Sequence, residues 1–167
     1  MTATIIFLLL DIALVGGYIW YTVKKFGVPT SLSKTYYLLQ ENKKGWMFQA
    51  ALIGGGLLLL PVWMNLSPDW WMCLGFLACA CIMLVGGAAR YLRMEEKGMH
   101  TVCAWIAGAA SVCWSIFAYK YLWIVPLVFA IAGIVMYFVD KKNHTFWVQM
   151  AVFASAYVSL IIALFLV

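Results

Sequence analysis

Residues 46–64 read WMFQAALIGGGLLLLPVWM, from Trp46 to Met64, and this stretch carries no charged side chain. A helix needs about 20 mostly apolar residues to cross the hydrocarbon of a bilayer. The turn Asn65-Leu-Ser-Pro-Asp69 follows, and then a second apolar run from Trp70 to Leu92. Pro68 lacks the N–H that would continue a helix, so the two runs form a hairpin of spans. Working outward, the same reading finds spans at about 3–23, 99–119, 121–139 and 145–167. The 121–139 run is divided from its predecessor only around Lys120, and about 40 residues are too many for a single crossing. The expected fold is therefore an all-α integral membrane protein. It is a single transmembrane domain over 1–167, a six-helix bundle.

Composition agrees. Hydrophobic residues make up 66% of the 167 and charged residues 10%, against about 45–50% and roughly 25% in soluble domains. Burying so much apolar chain in water would leave large exposed patches. The net charge of +5 does not indicate nucleic acid, because the basic residues sit between apolar runs and form no contiguous face for phosphates. The five cysteines, Cys73, Cys79, Cys81, Cys103 and Cys113, lie in apolar runs without C-x-x-C spacing and read as reduced, space-filling thiols. The first apolar run has no basic leader region and holds Asp11, so it reads as a span and not as a signal peptide.

The basic residues also orient the chain. Ten of the eleven fall in the first, third and fifth connections: Lys24, Lys25, Lys34, Lys43, Lys44, Arg90, Arg93, Lys97, Lys141 and Lys142. By the positive-inside rule these connections face the cytoplasm and both termini face out. Trp20, Tyr21, Trp46, Tyr91 and Trp147 then lie near the inner interface, with Trp63, Trp70, Trp71 and Trp123 near the outer one. The first inner connection is the longest. Ser31 or Ser33 is placed to cap a short helix there, with Leu32, Tyr36 and Leu39 on one face. That helix is expected to lie on the inner leaflet. Lys24, Lys25, Lys34, Lys43 and Lys44 are expected to meet anionic lipid headgroups. The bilayer is the main partner, with a homo-oligomer or a membrane partner as companion. The setting reads as a bacterial cytoplasmic (inner) membrane. Leu14-Val-Gly-Gly17 recurs as Leu84-Val-Gly-Gly87, which suits three helical hairpins, an inverted repeat or chance alike.

Few residues offer chemistry. Asp11 lies well inside the first span, where a charge is costly and an acid is a functional candidate. Helical spacing puts Thr4, Asp11, Tyr18 and Thr22 on one stripe. Asp11 is expected either to bind a cation or relay a proton, or to lock helices together by hydrogen bonding. Gln49 and Gly54-Gly55-Gly56 of the second span suit either an ion path or close helix packing. Ala107, Ser111 and Ser115 in the fourth span, and Ser155 and Ser159 in the sixth, form small-residue stripes for packing. His100 and His144 sit at inner boundaries and make at most a weak metal signal. Asn65-Leu-Ser67 matches a glycosylation acceptor by coincidence. No cofactor or metal site is indicated, and no esterase, zinc-protease or phosphate-loop pattern appears. Three function classes remain: a transporter or channel for a small solute or ion, a non-enzymatic membrane subunit or scaffold, and a membrane-embedded enzyme acting on lipid.

Overall fold

The computed structural model describes residues 1–90, 92 and 94–167, with the side chains of Met94 and Glu95 left aside. Tyr91 and Arg93, both assigned above to the inner boundary, lie outside the described residues. The described chain is helical throughout, in the order α1 (Thr2–Asp11), a π-helical turn (Ile12–Gly16), α2 (Gly17–Phe26), α3 (Lys34–Gln40), α4 (Trp46–Leu66), a 3₁₀ turn (Asp69–Trp71), α5 (Met72–Gly87), α6 (Met94–Phe117), α7 (Ile124–Val139) and α8 (His144–Ala163). Five helices are long and apolar enough to cross a membrane: Thr2–Phe26, Trp46–Leu66, Asp69–Gly87, Glu96–Phe117 and His144–Ala163. The chain is thus a multi-pass helical protein suited to lipid.

The fifth expected segment is shorter than its apolar run. Residues 118–123 form turns, and α7 is a helix of 16 residues. It rises about 24 Å at 1.5 Å per residue, less than the roughly 30 Å of hydrocarbon. The third span also ends early. Gly86 and Gly87 weaken the helix, and Ala88 leaves helical geometry at φ −88°, ψ 47°. By contrast, α4 runs unbroken through its three glycines and Pro61.

Glycines set the closest crossings. A Cβ on Gly54 would meet Leu14 at 2.9 Å, and one on Gly55 would meet Val15 at 2.8 Å. A Cβ on Gly56 would instead meet Met83 of α5 at 2.5 Å. The three glycines therefore serve two neighbours: the π turn rests on the first two, and α5 on the third. On α5, Gly75 makes room for the Trp63 ring and Gly86 for Leu52 and Ile53.

Two apolar clusters fill the bundle. One, at the end marked by α3, gathers Tyr18, Leu39, Phe48, Leu52, Val85 and Phe146. The other, at the opposite end, gathers Leu8, Val62, Trp63, Leu66, Trp114 and Leu160. Trp63, expected near the outer interface, is covered there by protein. Its ring meets Trp114 edge-on at 4.7 Å. Trp114 donates its indole N–H to Ser67 Oγ at 2.7 Å, and Tyr119 donates to the Leu66 carbonyl at 2.8 Å. These bonds tie the end of α6 to the α4–α5 turn.

Candidate functional site

The stripe expected on the first span faces inward: Thr4, Asp11, Tyr18 and Thr22 are all buried. Asp11 has no exposed surface. Tyr157, on α8, donates its hydroxyl to Asp11 Oδ2 at 2.6 Å. Asp11 Oδ1 has no hydrogen-bond partner, and a Cβ on Gly55 would stand 2.9 Å from it. Glycine at 55 is thus what lets α4 approach the carboxyl. The π turn begins at the next residue. Such turns widen the helix and recur at functional positions. Thr4, one end of the stripe, accepts from Asn65 Nδ2 at 3.3 Å. The sequence pointed to Asp11 but held no signal for Tyr157, which lies 146 positions away.

The other expected site residues are dispersed. Gln49 is half-buried on α4. Ala107, Ser111 and Ser115 are buried on α6. The hydroxyls of Ser111 and Ser115 do not bond across to other helices. They donate to carbonyls of their own helix, Gly108 at 2.8 Å and Ser111 at 3.1 Å, a common satisfaction for hydroxyls in apolar helices. Ser155 and Ser159 are buried on α8, with Oγ atoms lacking a partner. Ser155 also lines an apolar cavity of about 470 Å³ between α6, α7 and α8.

The connection between α2 and α4 departs most from expectation. Leu32, Tyr36 and Leu39 do form one face, but they pack into the bundle against Phe48 and Tyr18. The face is buried by protein because its polar groups find partners there. Tyr18 and Thr35 share a hydrogen bond between their hydroxyls. The Leu32 N–H donates to Gln149 Oε1 at 2.7 Å. Ser31 Oγ accepts the Lys34 N–H at 3.2 Å, which is the helix cap. Ser33 Oγ instead lies 2.8 Å from His100 Nε2, and His100 Nδ1 lies 2.9 Å from the Ala88 carbonyl. Phe48 stacks near the imidazole, with ring centroids 6.5 Å apart.

Arg90 is exposed beside this cluster. Its Nε donates to Tyr36 Oη at 3.4 Å, and its backbone N–H donates to Glu96 Oε2 at 2.8 Å. The Tyr36 bond pushes the guanidinium further above its ordinary value. Tyr37 accepts the Leu92 N–H at 2.8 Å. Lys24 and Lys25 are exposed at the end of α2. Lys24 stands 4.8 Å over the Trp20 ring, and Lys34 stands 5.7 Å over Tyr37. Lys43 and Lys44 are exposed in the α3–α4 turn, with Lys43 at φ 56°. At the far turn Asp140 accepts from Trp147 Nε1 at 3.0 Å and from Asn143 Nδ2 at 3.0 Å. These bonds hold its carboxyl below the ordinary value.

No group of three metal-binding side chains occurs among the described residues. All five cysteines are free thiols; Cys73 is exposed, while Cys79, Cys81 and Cys103 are buried. No protein-family model matches the chain, and comparison with curated proteins and with solved structures finds no match.

Proposed function

We propose that this protein is a small multi-pass carrier or channel for a proton or small cation, with Asp11 as the binding carboxyl. The observation that carries the reading is the unpartnered Oδ1 of Asp11, enclosed at zero exposure between α1, α4 and α8. An orphaned carboxylate oxygen in apolar surroundings is costly. A proton or cation at that oxygen removes the cost, so the site favours occupancy. Tyr157 fixes the other oxygen and orients the carboxyl. The π turn beside it supplies a segment whose hydrogen bonding can revert to α geometry when the carboxyl changes state. Gly54 and Gly55 bring α4 against the π turn and the carboxyl, and Gln49 stands nearer the α3 end of the same helix.

The proposed topology has six crossings, with α7 as the fifth. Local thinning or the flanking turn 118–123 completes its depth. The lysine-bearing connections then face the cytoplasm of a bacterial inner membrane, and both termini face out. Lys24, Lys25, Lys34, Lys43 and Lys44 attract anionic lipids there.

Proteoliposomes loaded with a pH-sensitive dye, in separate sodium and potassium gradients, test the reading. Wild-type protein is expected to pass one of these ions and Asp11→Asn to lose the flux. Flux that survives in Asp11→Asn would overturn the assignment.

A second reading rests on α7, whose buried residues are Pro126 and Gly133 alone, leaving Leu127, Val128, Ile131, Ile134, Val135 and Phe138 exposed. That face suits a membrane subunit packed against a partner helix or a second copy. Native mass spectrometry showing a stoichiometric partner, with no ion flux in liposomes, would favour it.

A further inference from the structure

We infer that Ser33 and His100 form a nucleophile–base pair that cleaves a carboxylic ester of a membrane lipid at the edge of the bundle. The argument begins with the imidazole. A backbone carbonyl only accepts, so the contact from His100 Nδ1 to the Ala88 oxygen, at 2.9 Å, places the ring hydrogen on Nδ1. In the neutral ring Nε2 is then the acceptor, and the Ser33 hydroxyl donates to it across 2.8 Å. This is the tautomer a general base needs. The ring is held by a third group, as activated serines require: nucleophile against base, base against an orienting acceptor.

The local fold spares Ser33 for this role. Ser33 precedes α3, yet its side chain makes no cap bond, because Ser31 provides the cap. Ser33 is 8% exposed and His100 4%, so the pair is largely shielded from water. The nucleophile stands at the start of a short connector helix and not on a spanning helix. It lies at the α3 end of the bundle, which the topology proposed above places at the inner interface, where lipid ester groups stand.

The surroundings select the ester. Tyr36, whose N–H donates to the Ser33 carbonyl at 3.2 Å, accepts from Arg90 at its hydroxyl. Ala88, which holds the imidazole, is two positions before Arg90. Arg90, exposed and bonded to Tyr36 beside Ser33, offers a guanidinium that suits a phosphate. The substrate class is an acyl ester of an anionic glycerophospholipid.

The chemistry balances in two steps. Ser33 Oγ bonds to the ester carbonyl carbon and its proton passes to His100 Nε2. The ester C–O bond breaks, and that proton goes to the departing glycerol oxygen. A water then bonds to the acyl carbon and gives a proton to Nε2. The acyl–Oγ bond breaks, Oγ recovers the proton, and the fatty acid leaves.

The test uses the full chain in nanodiscs containing phosphatidylglycerol, treated with a fluorophosphonate probe. Intact mass and peptide mapping locate the adduct, and fatty-acid release from phosphatidylglycerol and phosphatidylcholine is followed in parallel. Expected are a single adduct on Ser33, faster release from phosphatidylglycerol, and loss of both in Ser33→Ala. His100→Gln, which keeps an acceptor for Ser33, is expected to react at least about 100-fold more slowly. Absence of a Ser33 adduct in folded wild-type protein overturns the proposal, as does equal labelling of His100→Gln. Labelling without fatty-acid release overturns the lipid ester as substrate.

Discussion

Tyr157 holds Asp11 from the far end of the chain: its hydroxyl donates to Asp11 Oδ2 at 2.6 Å, joining α8 to α1 across 146 positions. The bond satisfies one carboxyl oxygen and leaves the other without a partner. That asymmetry makes the pair both a clasp and a candidate binding site.

Tyr157→Phe removes the donor and leaves a buried carboxyl unbonded. The expected cost is about 1–3 kcal/mol of stability, the desolvation penalty of an orphaned polar group. Thermal unfolding in detergent measures it. Asp11→Asn in the Tyr157→Phe background should restore part of the loss, since a neutral amide is cheaper to bury. An additive double variant would mean that the two side chains do not interact.

Gly55→Ala places a Cβ at 2.8 Å from Val15 and 2.9 Å from Asp11 Oδ1. Overpacking of this kind costs about 1–3 kcal/mol. Gly17→Ala, at the start of α2, meets nothing within 4 Å. It is expected to be neutral or to stabilise by up to about 1 kcal/mol, the helix preference of alanine over glycine. Melting temperatures of the two variants should move in opposite directions, or only the first should fall.

Leu39 distinguishes a helix packed into protein from one resting on lipid. Its side chain has no exposed surface, so Leu39→Ala should cost about 2–5 kcal/mol, as for buried leucines elsewhere. A variant as stable as wild type would place the α3 face on the bilayer.

Asp140 titrates outside the spans. Hydrogen bonds from Trp147 and then Asn143 hold its pKa below the ordinary 3.8. A depressed carboxyl stabilises the fold above the unfolded value and loses that contribution as pH falls through the lower folded value. The α7–α8 turn should therefore loosen only below about pH 3.8, seen as a change in the Trp147 indole N–H signal. Asp140→Asn should flatten the response, and a transition in that signal near pH 5–6 would contradict the account.

Much of the fold could be read from residue order. Hydropathy over 20-residue windows located the helices, because burial in lipid depends on each segment's own composition. The inward stripe of Thr4, Asp11, Tyr18 and Thr22 followed from helical periodicity. The helix ends were less accessible: the stop at Gly87 and the turns of 118–123 lie inside apolar runs that a hydropathy window cannot divide. Trp63 and Trp114 were equally opaque, since an indole suits an interface and a core alike.

The sequence by itself determined that the chain suits lipid, the places where helices form and the acid set inside the first apolar run. Tertiary structure alone decided which side chains meet: Tyr157 with Asp11, His100 with Ser33, Gln149 with the Leu32 N–H, and Leu39 with the bundle instead of the bilayer. The reason is physical. Lipid and protein interiors are almost equally apolar, so composition does not say which face of a helix turns toward its neighbours. That choice is made by glycine crossings and by the few hydrogen bonds that buried polar groups must find.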